Sequence, residues 1–246
     1  RVLVTRPREQ VQELRRRLEE LGAAVLEQPA ITISDPPDFS PVDTALARLD
    51  QYDWLVFSSG NGVRFFLERL LQSGGDLRRL GRVQLAAIGP GTAAELERFH
   101  LRADLIPEQY RAESLAAALV ARASAGRFLL IRASNGRQVL PEQLQAAGAA
   151  VDQVVAYCSS EVRTSDPQVA AALAAGQIDW VTVTSSAIAR SLASLFGADL
   201  RQAKLASISP ITSGVLRELG FEPSAEARQY TMSGLVEAIL NASCGV

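Results

Sequence analysis

The chain has 246 residues, 48% of them hydrophobic, and a formal net charge of −2. That is room for two ordinary domains with separate cores, and too little net charge to draw in nucleic acid through a global field. No run of 18 apolar residues occurs and the first residues already read as a strand, so neither a membrane span nor a signal peptide is expected. Val2–Thr5 is the first predicted strand. Val11, Leu14, Leu18 and Leu21 then recur at helical spacing, Gly22 closes that helix, and Val25–Gln28 is the second strand. Ile33–Pro41 has the composition of a linker. Ser40-Pro41 reads as N-cap and first helical residue of the segment before strand Trp54–Phe57. Strands Val83–Ile88 and Asp104–Ile106 follow, then a closing helix, Ser114–Ala123.

The pattern restarts with strand Phe128–Ile131, a helix carrying Leu140, Leu144 and Ala147 before Gly148, and strand Val151–Tyr157. A second linker, Ser159–Pro167, leads to a helix opened by Asp166-Pro167. Strands Val181–Thr184 and Leu205–Ile208, a short run near Phe221 and the helix Ser233–Leu240 complete it. Short strands alternating with helices specify an α/β fold with parallel sheets covered on both faces. Five strands per half is a flavodoxin-like arrangement.

The halves are a repeat. Asp53-Trp54 returns as Asp179-Trp180, an offset of 126 (179 − 53), which also lays Val2-Leu3-Val4-Thr5-Arg6 on Phe128-Leu129-Leu130-Ile131-Arg132 and Gly22 on Gly148. Ile88-Gly89-Pro90-Gly91-Thr92 is echoed by Ile208-Ser209-Pro210-Ile211-Thr212 at an offset of 120 (212 − 92). Two similar lobes are expected, and with them a cleft. A boundary between contiguous halves belongs near Ser124–Gly126, whereas both linkers follow the second strand of a half. That placement suits lobes that exchange their leading strand–helix–strand units, though periodicity does not decide it.

Cys158 and Cys244 stand far apart, which argues against a structural disulfide and for a reducing, cytoplasmic setting. One histidine, His100, and no CxxC leave no basis for a zinc centre, so no metal is expected. His100 sits where a helix ends, a poor place for a triad base. GxxxxGK[ST] and GxGxxG are both missing, which removes the phosphate loop and the dinucleotide fingerprint. Cationic charge is carried by 24 arginines and one lysine, Lys204, a bias that base composition explains more readily than a demand for anion-binding forks.

Ligands of parallel sheets collect at the carboxyl ends of the strands, where helix N-termini present free N–H groups. The turns there hold Ser58, Ser59 and Asn61; Gly89 and Thr92; Ser185 and Ser186; Ser209 and Thr212; and the arginines Arg6, Arg132 and Arg137. Any one such turn is explained by ordinary capping. Six of them, repeated in two halves, point to a cleft that takes several carboxylates or phosphates at once. Tyr157, at the end of a strand, either shows its hydroxyl to water or offers it to a leaving oxygen; a phenol suits hydrogen-bond donation better than full proton transfer.

The opening Val-Leu-Val-Thr-Arg-Pro, the Asp53–Val63 segment, Ala87–Thr92 with its weaker copy, and Leu130-Ile131-Arg132 through Tyr157 together resemble uroporphyrinogen-III synthase, in order and over essentially the whole chain. The resemblance implies two α/β lobes joined by a two-stranded extended linker, with the first lobe discontinuous: residues 1–34 plus 162–246, and residues 38–156. It implies cyclisation of hydroxymethylbilane, a linear tetrapyrrole with eight carboxylates, to uroporphyrinogen III with inversion of ring D and no cofactor. In the route it implies, loss of the ring-A hydroxyl gives an azafulvene cation, and ring D attacks through its substituted carbon to form a spiro intermediate that fragments and recloses inverted. Tyr157 is then assigned to the departing hydroxyl, and Thr212 contacts substrate, with Ser185 or Ser186 filling the matching loop and Ser58, Ser59, Asn61 and Thr92 as counterparts. Arg6, Arg132 and Arg137 are candidate carboxylate ligands. Ser209-Pro210 departs from the Gly-Pro form of Gly89-Pro90. Nothing demands more than a monomer, and a transient contact with the enzyme that makes the unstable substrate stays open. The alternatives are a two-lobed module that binds or senses a polyanionic small molecule without turnover, and a flavodoxin-like electron carrier.

Overall fold

In a computed structural model, which describes residues 1–244, the strands are β1 (Val2–Val4), β2 (Val25–Glu27), β3 (Ile31–Ser34), β4 (Trp54–Phe57), β5 (Gln84–Ala87), β6 (Arg127–Ala133), β7 (Ala150–Glu161), β8 (Trp180–Val183), β9 (Lys204–Ser207) and β10 (Ala225–Glu226). The helices are α1 (Gln12–Glu20), α2 (Ser40–Ala47), α3 (Gly60–Gln72), α4 (Pro90–Arg98), α5 (Ala112–Ala123), α6 (Val139–Ala146), α7 (Pro167–Ala174), α8 (Ser186–Phe196), α9 (Pro210–Glu218) and α10 (Met232–Cys244). The chain divides into two units, Arg1–Ile33 with Ser160–Val246, and Ser34–Ser159.

The sheet of the first unit has the order β10-β9-β8-β1-β2; the other sheet has the order β3-β7-β6-β4-β5, with β4, β5, β6 and most of β7 in the second unit and Ile31–Ile33 of β3 in the first. Applying the repeat offsets to the second order, β7-β6-β4-β5 corresponds to β2-β1-β8-β9, so both sheets follow the flavodoxin-like order. Register repeats as well: Val2 pairs Val25 and Trp180 pairs Lys204 in one sheet, Phe128 pairs Val151 and Trp54 pairs Gln84 in the other. Each sheet therefore takes its β1- and β2-type strands from one half of the repeat and its remaining strands from the other. This exchange is the arrangement that the linker positions favoured and that periodicity left open.

Three of these strands, β1, β4 and β8, are buried at every residue, the continuous apolar run of a strand covered on both faces. In the first unit Leu3, Val181 and Leu205 pack with Ile188, Leu192 and Leu216, while Val2, Val4 and Ala206 pack with Leu14, Leu18, Leu235 and Ile239 on the opposite face. In the second, Trp54, Phe128 and Leu130 meet Leu115, Leu119, Leu140 and Leu144. Burying each such side chain is worth ~2 kcal/mol and a helix cap ~1 kcal/mol, so the cores set which elements pack and the caps set where they end. Gly22 (φ 82°) and Gly148 (φ 90°) close α1 and α6 in the left-handed conformation, as their repeated place implies.

Four local expectations differ from the structure. Asp104–Ile106 is reduced to one bridge, Ala86 to Leu105, and the last strand lies at Ala225–Glu226, the Phe221 N–H being taken by the Leu216 carbonyl at the end of α9. The same register governs both, since Ala86 and Leu105 are the repeat counterparts of Ala206 and Ala225. The linker segments begin as strands: β3 and the end of β7 are neighbours, and their backbone groups find partners there. Helix α2 starts one residue earlier than expected, with Asp38 Oδ1 accepting from Ser40 N at 2.8 Å, so Ser40 is the first helical residue and not the cap.

Candidate functional site

At the rim of each unit a strand turns directly into a helix. After β4, Ser59 is extended (φ −165°) and its Oγ accepts from Gly62 N at 3.1 Å, capping α3. After β8, Ser185 does the same for α8 through Ile188 N at 3.2 Å. Ser209 caps α9 by accepting from Thr212 N at 3.4 Å, with Thr212 Oγ1 3.2 Å away. Gly89 holds the equivalent place before α4 and has no side chain to cap with. A Cβ there would lie 3.1 Å from Tyr110, so glycine lets that ring close over the turn. Thr92 and Thr212 are buried in the first turns of α4 and α9, and Ser186 begins α8. Ser58 is exposed, with its Oγ 3.5 Å from the Ile131 carbonyl.

None of α3, α4, α8 and α9 has an acid in its first turn, and neither has α10. By contrast α1, α2, α5 and α6 open with Glu13, Asp43, Glu113 and Glu142, and Asp166 caps α7. Acids normally offset the positive end of the helix dipole; where they are missing, that end is left for an outside anion.

The arginines divide. Arg6 is half-buried, donating to Gln10 Oε1 at 2.7 Å and facing Met232 Sδ at 3.3 Å, while its Nε is buried without an acceptor. Burial pulls its pKa down, and Glu13 opposes this only through space. Arg132, its repeat counterpart, is engaged by Gln153, by Gln138 Oε1 at 3.1 Å and by the carbonyls of Gly136 and Arg137. Arg137 is exposed.

Tyr157 is not at a strand end. It lies inside β7, 6% exposed, with its hydroxyl 2.9 Å from Ser59 Oγ and also hydrogen-bonded to Asn61. Burial raises its pKa and the two hydrogen bonds oppose the rise. Phe65 stacks on its ring at 5.6 Å, and Arg64 sits 4.8 Å over Phe65. Sequence reasoning passed over Phe65, although Asn61 and Phe65 are spaced i, i+4 on one face of α3. In this way Ser59, Asn61 and Tyr157 come together in one unit, while Arg6, Ser185, Ser186, Ser209 and Thr212 belong to the other.

A family model described as "Uroporphyrinogen-III synthase HemD" matches residues 12–237. The chain belongs to the uroporphyrinogen-III synthase family. Its members are cyclising lyases of tetrapyrrole biosynthesis. Among relatives, a uroporphyrinogen-III synthase of Synechococcus elongatus is 32% identical, covering 97% of this chain and 93% of that protein. The Escherichia coli K12 enzyme of the same name is 26% identical over 97% of this chain and 99% of its own length. Two crystal structures share the fold: uroporphyrinogen III synthase of Thermus thermophilus (a mutant; TM-score 0.70, 19% identity, 100% of this chain and 99% of that one) and the Helicobacter pylori 26695 protein (TM-score 0.61, 18% identity, 89% and 93%).

Proposed function

We propose that this chain closes hydroxymethylbilane to uroporphyrinogen III, with loss of water and inversion of ring D. The observation that carries this reading is the matched set of acid-free helix N-termini, α3, α4, α8 and α9. A substrate with eight carboxylates needs several fixed positive ends, and backbone N–H groups supply them without the rotamer entropy of long cationic side chains. Arg6 adds a guanidinium that has no acid to pair with in an ion bridge among the described residues. Ser58, Gly89, Thr92, Ser185, Ser186, Ser209 and Thr212 belong to the turns that meet the substrate, and Ser59 and Asn61 act at the same rim through Tyr157. Arg132 shapes its own loop through Gly136 and Arg137, and Arg137 reaches a carboxylate from the surface.

The substrate drives its own ionisation. When the ring-A hydroxyl departs, the electron-rich pyrrole becomes an azafulvene cation, and the water formed carries off that hydroxyl with the proton ring D loses on substitution. Tyr157 donates a hydrogen bond to the departing oxygen, and its raised pKa keeps the phenol protonated through neutral pH. What remains for the protein is to hold the chain so that ring D attacks through its substituted carbon, a matter of orientation. The spiro intermediate then breaks that carbon's bond to the ring-C methylene bridge and recloses, inverted, through ring D's free carbon, which gives up the proton. Freshly prepared hydroxymethylbilane tests this: the account predicts the inverted type III isomer. Release of only the symmetric type I product, which forms spontaneously, would leave a polyanion-binding module in its place.

A further inference from the structure

Two units built to one plan make each departure from the plan informative. At the head of α3 stand Ser59 and Asn61, with Tyr157 reaching in from β7. The repeat offset of 126 puts Ser185, Ala187 and Ile31 at those positions in the other unit. The serines are common and do the same capping work in both places. The amide and the phenol occur in one unit only.

The backbone departs at the same point. The β6–β7 ladder runs regularly to Arg132 against Val155, then jumps to Ala133 against Tyr157. Through this bulge Ala156 and Tyr157, adjacent in sequence, are both buried, at 1% and 6% exposure. A regular strand would point them to opposite faces of the sheet; bulges re-aim side chains. The corresponding β1–β2 ladder ends at Val4 against Glu27 with no shift.

We propose that Ser59 and Asn61 are positioning residues that both donate to the Tyr157 oxygen, so that the phenol proton is turned away from them and offered to the substrate's departing hydroxyl. The assignment deepens the functional reading above and rests on it. Ser59 Oγ has one proton and two acceptor sites, and Gly62 N–H takes one of those sites. In the proposed arrangement the Tyr157 oxygen accepts twice, from Ser59 Oγ, which lies 2.9 Å away, and from Asn61. With Phe65 fixing the ring plane, the O–H bond is the rotor that remains, and occupied lone pairs leave it one direction. Each donated bond also favours the phenolate, against the burial that disfavours it.

A double-mutant cycle tests the arrangement. Asn61→Ala lowers kcat roughly tenfold, the worth of one hydrogen bond, with KM changed by less than about twofold. In the Tyr157→Phe background the same substitution has no further effect. Asn61→Asp, of equal size but unable to donate when ionised, acts in the same direction. Equal losses in both backgrounds would overturn the proposal. Ultraviolet titration of the tyrosines gives a reading independent of turnover: Asn61→Ala moves one ionisation to higher pH, and the shift vanishes with Tyr157→Phe. An unchanged titration overturns the positioning role. A shifted titration in a chain that makes no type III isomer would keep the network and sink the functional reading instead.

Discussion

Arg6 shows most plainly how a side chain can be held for something outside the fold. Its guanidinium has one good protein acceptor, Gln10 Oε1 at 2.7 Å, a thioether on another side and a buried Nε with nothing to donate to. A partly buried cation with no bridging acid weakens the fold, since desolvation is not repaid by an ion pair. A substrate carboxylate would repay it. Arg6→Met keeps the length and apolar bulk of the side chain. It should stabilise the protein by about 1 kcal/mol in denaturant unfolding and raise KM at least roughly tenfold, with kcat within about threefold. A fall in kcat at constant KM would move Arg6 from anchoring to chemistry. The position of Arg6 after β1 was legible because rim residues follow strand ends. Its partner Met232 was not, because no local pattern links residues 226 apart. Tyr157 was misplaced for a related reason: the apolar run stops near it, yet pairing with β3 and a bulge carry the strand on to Glu161.

Among elements, strand–helix–strand alternation was legible throughout because fully buried strands such as Trp54–Phe57 and Trp180–Val183 leave unbroken apolar runs. Two outlying edge segments were not. Leu105 and Ala225–Glu226 each pair on one side only, so their sequences carry little strand character and local turns decide their length. The exchange of leading units lay beyond periodicity, since either connectivity satisfies the same pattern. It has a consequence for fragments. Residues 34–159 contain β4, β5, β6 and most of β7 with their covering helices, whereas residues 1–125 separate Val2–Val4 from Trp180 and Trp54 from Phe128. The first fragment should unfold in one cooperative thermal transition and the second should show none. Cooperative unfolding of residues 1–125 would mean that the repeat halves, and not the exchanged units, are the folding units.

For the molecule as a whole, the rims are made of helix termini, hydroxyls, an amide, arginines and one buried phenol, none of which changes charge near neutrality in ordinary circumstances. The single histidine, His100, lies in the left-handed conformation beyond the carboxyl end of α4, at the far end of that helix from its rim turn. Catalysis by orientation and hydrogen bonding therefore has a signature in pH. Tyr157 must stay protonated to donate, and burial raises its pKa above the ordinary phenol value. The hydrogen bond is thus fully present at and below neutrality and is lost only as pH rises through that raised pKa. The deciding measurement is the pH dependence of kcat for type III isomer formation at saturating substrate. The account predicts a level profile across the neutral range, with a fall only on the alkaline side, beyond the ordinary phenol range. A bell-shaped profile with a limb near neutrality would require a titrating acid or base, and would contradict it.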